Sequence, residues 1–419
     1  MKFIINGGKT LKGDIFVKGF KNSATPIIAA TLLTKELCVL RNIPKVGDVL
    51  KMLEILKSLG SKQKWLSENS VEIRNDDLNP ENLNQELVCQ IRSSILLIGP
   101  MLARFGRMKF VTPGGCKIGV RPIDTHLDAL RDLGAKVELD EGTGVYDISL
   151  DRLKSDSVCL REFSVTATEN LLMLGFSHPF VIKLAALEPH VFDLIDFLRK
   201  IGAGIEQISS HSFKIGSTEK TGKAVEHAII SDPIEAITLA ILGVATKSKI
   251  NIHGVEESHL EFPLQKLKEF GAVFRLENKV LKIDGPKSVL RSVKIQTMPY
   301  PGLPTDLQAP FGVLATQARG ASLIFDTLYE GRLKYIDEFK KMGADAVILD
   351  PHRALITGPV VLHGAKIESL DLRAGATLVI AALVAEGQTE LGGIEQIDRG
   401  YENLDGRLRE LGAEIKRLP

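Results

Sequence analysis

The sequence predicts an α/β (α+β) protein of two domains, built from six repeated units of about 70 residues, three per domain. Three observations predict it. The chain is 419 residues long, a helix-then-glycine signature recurs six times, and a second series of apolar helices alternates with the first. A chain of this length exceeds what one simple core organises, so two domains of roughly 200 residues are expected.

The first series ends each time in an apolar residue and a glycine that lead into a strand-like stretch. Its members are KMLEILKSLGSKQKW, HLDALRDLGAKVEL, FDLIDFLRKIGAGIEQ, PLQKLKEFGAVFRL, KYIDEFKKMGADAVIL and LDGRLRELGAEIKRL. The glycines are Gly60, Gly134, Gly202, Gly271, Gly343 and Gly412, separated by 74, 68, 69, 72 and 69 residues. Apolar residues stand one and four positions before each glycine, which is one face of a helix, and the glycine suits a left-handed C-terminal cap. The position seven before is apolar in five copies and fails at Asp405.

The second series begins near Asn22, Arg92, Ser164, Asp232, Asp306 and Asp371, at gaps of 70, 72, 68, 74 and 65 residues. Each member opens on polar or capping residues and continues almost wholly apolar, as in DPIEAITLAIL and DLRAGATLVIAAL. That pattern predicts a helix buried inside a domain. Equivalent helices of a pseudo-threefold domain point the same way, so their N-termini, with free N–H groups, gather on one face. Two such faces opposed would form an anion-binding cleft. The expected domains are 22–229, carrying a mobile loop at 112–122, and 1–21 with 230–419. The chain would then cross twice, near Lys21 and Asp232, and close by a hinge on substrate.

Composition excludes several classes. Hydrophobic residues make up 44% and charged residues 25%, with a net charge of +1, so no whole-molecule field points to nucleic acid or to an anionic membrane. The start, MKFIINGGKTLKGDIF, breaks at Asn6-Gly7-Gly8 before a signal-peptide apolar stretch forms, and runs such as ITLAILGVA and LVIAALVA are too short to span a bilayer. The expectation is a cytoplasmic protein without membrane insertion. The four cysteines have neither metal nor disulfide spacing. Cys38, Cys89 and Cys159 have apolar neighbours and read as small core residues.

Cys116 is different. In TPGGCKIGVRPID it follows Gly114 and Gly115 and lies beside Lys117 and five residues before Arg121. The glycines allow close backbone approach, and the cations favour a thiolate, so the loop suits a thiol acting as acid or nucleophile. The alternative is an incidental surface cysteine in a glycine-rich turn.

FKNSATPIIAATLL, IRSSILLIGPMLARFG, TPGGCKIGVRPIDTHL, YPGLPTDLQAPF, EGRLKYIDEFKKMGA and DRGYENLDGRLRELGA together resemble the UDP-N-acetylglucosamine 1-carboxyvinyltransferase family of enolpyruvyl transferases. The resemblance covers essentially the whole chain and implies a two-domain inside-out α/β barrel. It implies transfer of the enolpyruvyl group of phosphoenolpyruvate to the 3′-hydroxyl of UDP-N-acetylglucosamine, with phosphate released by addition and elimination. That reaction is the first committed step of peptidoglycan precursor synthesis. No cofactor and no metal are implied, and the partners are the two small-molecule substrates.

By the same resemblance, Cys116 is the proton donor, able to form a phospholactoyl thioether-type adduct and to react with epoxide phosphonates of the fosfomycin type. Asp306 is the base, and Lys21 and Arg399 complete the catalytic set. Lys21, Asn22, Arg121, Arg332 and Arg399 would hold phosphoenolpyruvate, arginine forks suiting its carboxylate and phosphate. Asn22, Arg92, Arg121, Pro122, Ile123, Asp124, Thr125, Ser164, Val165, Asp306 and Leu328 would hold the sugar nucleotide, Ser164 and Val165 through helix N–H groups. Asp306, like Thr305, reads equally as a helix cap, and Leu328 equally as a core leucine.

The chain departs from the family pattern at Glu162, where a lysine is usual, at Thr166, where glycine is usual, and at Pro233, where arginine is usual. Arg161 stands next to the first of these. His126 and His190 have no metal spacing and read as core or hydrogen-bonding residues. Two alternatives remain from the same superfamily: a 5-enolpyruvylshikimate-3-phosphate synthase-like transferase, whose loop lacks the cysteine, and a non-catalytic nucleotide-sugar-binding homologue. A cysteine hydrolase would need a histidine base and leaves the sixfold repeat unexplained.

Overall fold

The six-unit pattern is visible first in the backbone. In the computed structural model, which describes residues 1–112, 122–219 and 221–419, the six repeat glycines all have left-handed φ, between +87° and +111°. Each follows a surface helix and turns the chain into a strand, as the sequence predicts. The surface helices are the even members of α1 (Lys21–Ala30), α2 (Gly47–Ser58), α3 (Ile98–Phe105), α4 (Asp124–Asp132), α5 (Val165–Leu174) and α6 (Pro189–Lys200). They are likewise the even members of α7 (Pro233–Ala245), α8 (Glu261–Phe270), α9 (Gln308–Gln317), α10 (Tyr335–Lys341), α11 (Leu372–Val384) and α12 (Leu404–Glu410).

The odd helices are the apolar series. In α7 every residue from Ile234 to Ala245 is buried, which is what a helix apolar on all sides requires. Pro233 supplies its N1 position, where the missing N–H costs nothing and the fixed φ suits the first turn. The failed apolar match at Asp405 has an explanation. Asp405 is buried on α12 and paired with Arg417 at 2.7 Å, so an ion pair occupies the place of an apolar contact.

Among the described residues two compact units emerge from the packing: Met1–Lys18 with Ser231–Pro419, and the described part of Gly19–Ile230. Each contains three small sheets. Five are four-stranded and share one plan: an edge strand runs parallel to a second strand, which is followed by an antiparallel pair. Strands such as Lys249–His253 alternate, with Ile250 and Ile252 against the helices and Lys249, Asn251 and His253 facing out. The odd helices therefore lie inside and the sheets outside. The sheet of Arg107–Val111, Val145–Ser149 and Lys136–Asp140 has three strands among the described residues.

The repeat closes on itself. Strand Lys2–Asn6 pairs antiparallel with Glu414–Leu418 and with Gln388–Gly392, taking the place that a strand late in the repeat takes elsewhere. The N-terminal strand thereby belongs to the unit that ends the chain.

Of the three cysteines read as core, Cys38 is buried, Cys89 is partly buried and Cys159 is exposed. The last corrects the sequence reading. Cys159 ends the edge strand Ser157–Cys159, where alternation sends Val158 inward and Cys159 out.

The repeat glycines also separate two costs. A Cβ at Gly412 meets nothing within 4 Å, whereas one at Gly271 would sit 2.2 Å from the Val289 carbonyl oxygen. Gly412→Ala carries only the left-handed backbone penalty, about 1 kcal/mol. Gly271→Ala adds a backbone clash, and we expect it to cost at least about twice as much in urea denaturation. Equal losses would mean that the clash relaxes freely.

Candidate active site

In the unit formed by residues 1–18 and 231–419, three aspartates begin the three buried helices. Asp232 accepts the N–H groups of Ile234 and Glu235 at 2.8 and 3.1 Å, capping α7. Asp371 accepts those of Arg373 and Ala374 at 2.9 and 3.0 Å, capping α11. Asp306, in the turn Thr305–Leu307 that leads into α9, makes no cap bond. Its oxygens face two arginines, Arg332 Nη1 at 2.7 Å and Arg373 Nε at 3.0 Å.

The two uses of aspartate that the sequence left open are thus divided among the repeats. Two copies cap, and the third is diverted to cations. Arg373 is 2% exposed, and its Nη2 also lies 3.5 Å from Asp232 Oδ2. Its guanidinium stands 5.1 Å from the centre of the Tyr401 ring. The starts of α7, α9 and α11 therefore converge on one buried arginine, as the repeat predicts for equivalent helices.

Burial raises the proton affinity of Asp306, but the Arg332 and Arg373 charges outweigh it and hold the carboxyl well below the usual carboxylate range. Asp232 shows the opposite balance. Burial, which Arg373 only partly offsets, pushes its carboxyl up to about 6. Asp306 keeps the larger opening to solvent, 23% of its side chain, so the permanently ionised carboxylate is the one a ligand can reach.

The remaining sequence-predicted residues of this unit fall nearby in the chain, with varied contacts. Leu328 is exposed, not core, and offers its backbone on the loop after strand Gly320–Phe325. Arg399 follows the short helical turn Glu395–Asp398 and donates to Gln396 Oε1 at 3.0 Å. The arginines on Asp306 itself are Arg332 and Arg373.

In the unit that begins at Gly19, the equivalent helix starts carry no acid. Lys21 opens α1, Arg92 opens the turn that leads into α3, and Ser164 caps α5 by accepting the Ala167 N–H at 3.3 Å. Positive side chains at positive helix ends are unfavourable until an anion arrives. Lys21 meanwhile donates to Asp48 at 2.7 Å, with both side chains largely buried. Asn22 is partly buried beside it on the first turn of α1.

Of the residues that the resemblance assigns to the sugar nucleotide, Pro122 to Thr125 lie at the start of α4 and Ser164 and Val165 at the start of α5. Arg92 Nη2 donates to the Pro122 carbonyl at 3.2 Å, and Thr125 Oγ1 donates to Glu162 Oε1 at 2.8 Å. Ile123 is buried, Asp124 is exposed at the first residue of α4, and Val165 begins α5. Arg161 is occupied by Asp128 at 2.7 Å. Thr166 meets His126 Nε2 at 2.8 Å. Burial, helped by the Arg92 charge, pushes His126 down to about 3, so the ring is neutral and serves as a hydrogen-bonding group. Cys116 and Arg121, with most of the 112–122 loop, lie outside the described residues.

Sequence reasoning passed over Arg373 and Asp48. A lone arginine in the first turn of an otherwise apolar buried helix was the available signal for the first. The second was hidden because an aspartate at the start of α2 is the commonest of surface features.

Along nearly its whole length the chain matches a class of carboxyvinyl transferases. The model for EPSP synthase (3-phosphoshikimate 1-carboxyvinyltransferase) matches residues 5–408. Among curated proteins, UDP-N-acetylglucosamine 1-carboxyvinyltransferase 1 of Carboxydothermus hydrogenoformans is 45% identical, covering 100% of this chain and 98% of that protein. The protein of the same name from Clostridium acetobutylicum is 41% identical over 100% of this chain and 99% of its own. The chain belongs to the UDP-N-acetylglucosamine 1-carboxyvinyltransferase family. In fold it matches the enolpyruvyl transferase NikO from Streptomyces tendae, with a TM-score of 0.90 at 24% identity over 99% of this chain and 98% of that one. It also matches EPSP synthase from Acinetobacter baumannii, with a TM-score of 0.73 at 18% identity over the whole of both chains. Among the described residues no helix is long and apolar enough to cross a membrane.

Proposed function

We propose that the protein transfers the enolpyruvyl group of phosphoenolpyruvate to the 3′-hydroxyl of UDP-N-acetylglucosamine and releases phosphate. The observation that carries the reading is Asp306, which alone of the three helix-start aspartates described in its unit makes no cap bond and is held between Arg332 and Arg373. The acceptor oxygen attacks C2 of phosphoenolpyruvate while its proton passes to Asp306. Cys116 delivers a proton to the C3 methylene. Loss of phosphate from C2 and of a proton from C3 then regenerates the double bond.

Pinned by two arginines, Asp306 is a weak base in the free protein. An anionic substrate that draws Arg332 onto its own phosphate or carboxylate weakens that hold and raises the proton affinity of Asp306 at the moment it is needed. Lys21, Asn22, Arg121 and Arg399 complete the proposed phosphoenolpyruvate contacts. Arg92, Pro122 to Thr125, Ser164, Val165 and the Leu328 backbone serve the sugar nucleotide.

The decisive assay is phosphate release from phosphoenolpyruvate with UDP-N-acetylglucosamine or shikimate 3-phosphate as acceptor. Release with the sugar nucleotide alone is expected, together with labelling of Cys116 by a fosfomycin-type epoxide. Release with shikimate 3-phosphate alone would overturn the reading.

Glu162 works against the proposed diphosphate contact, since its carboxylate lies beside Thr125 and two residues before the α5 cap. Glu162→Lys removes that repulsion at an exposed position, so UDP-N-acetylglucosamine binds roughly three- to ten-fold more tightly at low salt. Calorimetry at two ionic strengths checks this, because the gain must shrink as salt screens it. An unchanged affinity would place the diphosphate elsewhere.

A further inference from the structure

Asp326 is fully buried at the end of strand Gly320–Phe325. Its Oδ1 accepts the N–H groups of Leu328 and Tyr329 at 3.0 and 3.2 Å, along with the Thr297 hydroxyl at 3.2 Å. Its Oδ2 accepts the hydroxyl of Thr305, the residue before Asp306. Thr305 Oγ1 in turn accepts Arg332 Nη1 at 2.9 Å, the same nitrogen that reaches Asp306. The Tyr329 ring lies 5.5 Å from the Arg332 guanidinium. One buried carboxylate thus holds the Leu328 loop by its amides and orients Arg332 by two routes, the Thr305 hydroxyl and the Tyr329 ring.

We infer that Asp326 is a positioning residue, fixing together the loop proposed to meet the sugar nucleotide and the arginine that controls Asp306. The inference rests on the proposed function for its kinetic consequences but not for its geometry. A buried carboxylate accepting four donors is not replaced by an amide. Asn keeps one oxygen for the Leu328 and Tyr329 amides but without the negative charge that strengthens those bonds, and its NH2 group takes away the acceptor of the Thr305 hydroxyl. Thr305→Val cuts only the relay to Arg332 and leaves the loop bonds in place.

The test compares Asp326→Asn, Thr305→Val and Thr305→Ser in the full chain, with rates expressed per folded molecule. Asp326→Asn is expected to lower kcat, raise the KM for UDP-N-acetylglucosamine and speed hydrogen exchange at the Leu328 and Tyr329 amides. Thr305→Val is expected to lower kcat roughly ten-fold or more, the loss of a charge-assisted hydrogen bond, without speeding those amides. Thr305→Ser restores the rate. A wild-type kcat and KM per folded molecule in Asp326→Asn, or a wild-type kcat in Thr305→Val, overturns the inference. If the wild-type protein turns over neither acceptor, the functional reading fails by itself. The amide exchange of Asp326→Asn then decides the positioning role: faster exchange at Leu328 and Tyr329 supports it, and unchanged exchange overturns it.

Discussion

Asp306→Asn lowers kcat on the order of a thousand-fold, with the folded protein retained at neutral pH. The amide cannot take the acceptor proton, and its NH2 group must face Arg332 Nη1 or Arg373 Nε, both donors. The same pair of arginines predicts how pH acts on the wild type. In the free protein they hold the Asp306 carboxyl well below its usual range, so its acid limb in kcat/KM lies far down the pH scale. Once substrate anions draw on Arg332, that limb moves upward and appears at higher pH in kcat than in kcat/KM. Coincident limbs would mean that the arginines stay on Asp306 throughout. For stability the sign is that of a depressed carboxyl. Its contribution is complete above the unfolded value and is lost only as pH falls through the folded one. Asp306→Asn therefore shows its full stability difference at pH 7, and the difference closes only in strong acid.

The parts of the fold legible in the sequence are those fixed by local rules. Gly60, Gly134, Gly202, Gly271, Gly343 and Gly412 announced themselves because a left-handed backbone after a helix selects glycine whatever the tertiary setting. The buried helices were legible because a chain segment apolar on every side has only one place to go. For the candidate site the sequence offers residue types and not their partnerships. Asp232, Asp306 and Asp371 are the same residue at the same repeat position, and only three-dimensional contacts separate the two caps from the carboxylate on Arg332 and Arg373. Cys159 failed for a related reason, since apolar neighbours in a strand do not say which face a residue takes. Asp326 was invisible because a buried acceptor of loop amides has no periodicity and no motif.

Arg373→Met is the substitution with the largest expected cost to folding, roughly 3–5 kcal/mol at pH 8. The guanidinium is 2% exposed and lies against Asp306, Asp232 and the Tyr401 ring, so methionine fills the space but leaves a buried carboxylate without its cation. Asp232 already has its carboxyl pushed up to about 6 by burial, with Arg373 as the main opposing influence. Removing the arginine raises it further. A raised carboxyl contributes its full stability below the unfolded value and loses it as pH rises through the folded one. The deficit of Arg373→Met must then be greatest in mild alkali and shrink toward pH 5, where Asp232 takes up a proton and becomes a neutral cap. Adding Asp232→Asn should recover much of the loss at pH 8, because asparagine keeps an acceptor for the Ile234 and Glu235 N–H groups without the charge. Urea denaturation of the two single variants and the double variant at pH 5 and pH 8 measures each of these differences. A loss independent of pH, unrelieved by Asp232→Asn, would mean that Arg373 stabilises through packing on Tyr401 and not as the common counter-ion of two helix starts.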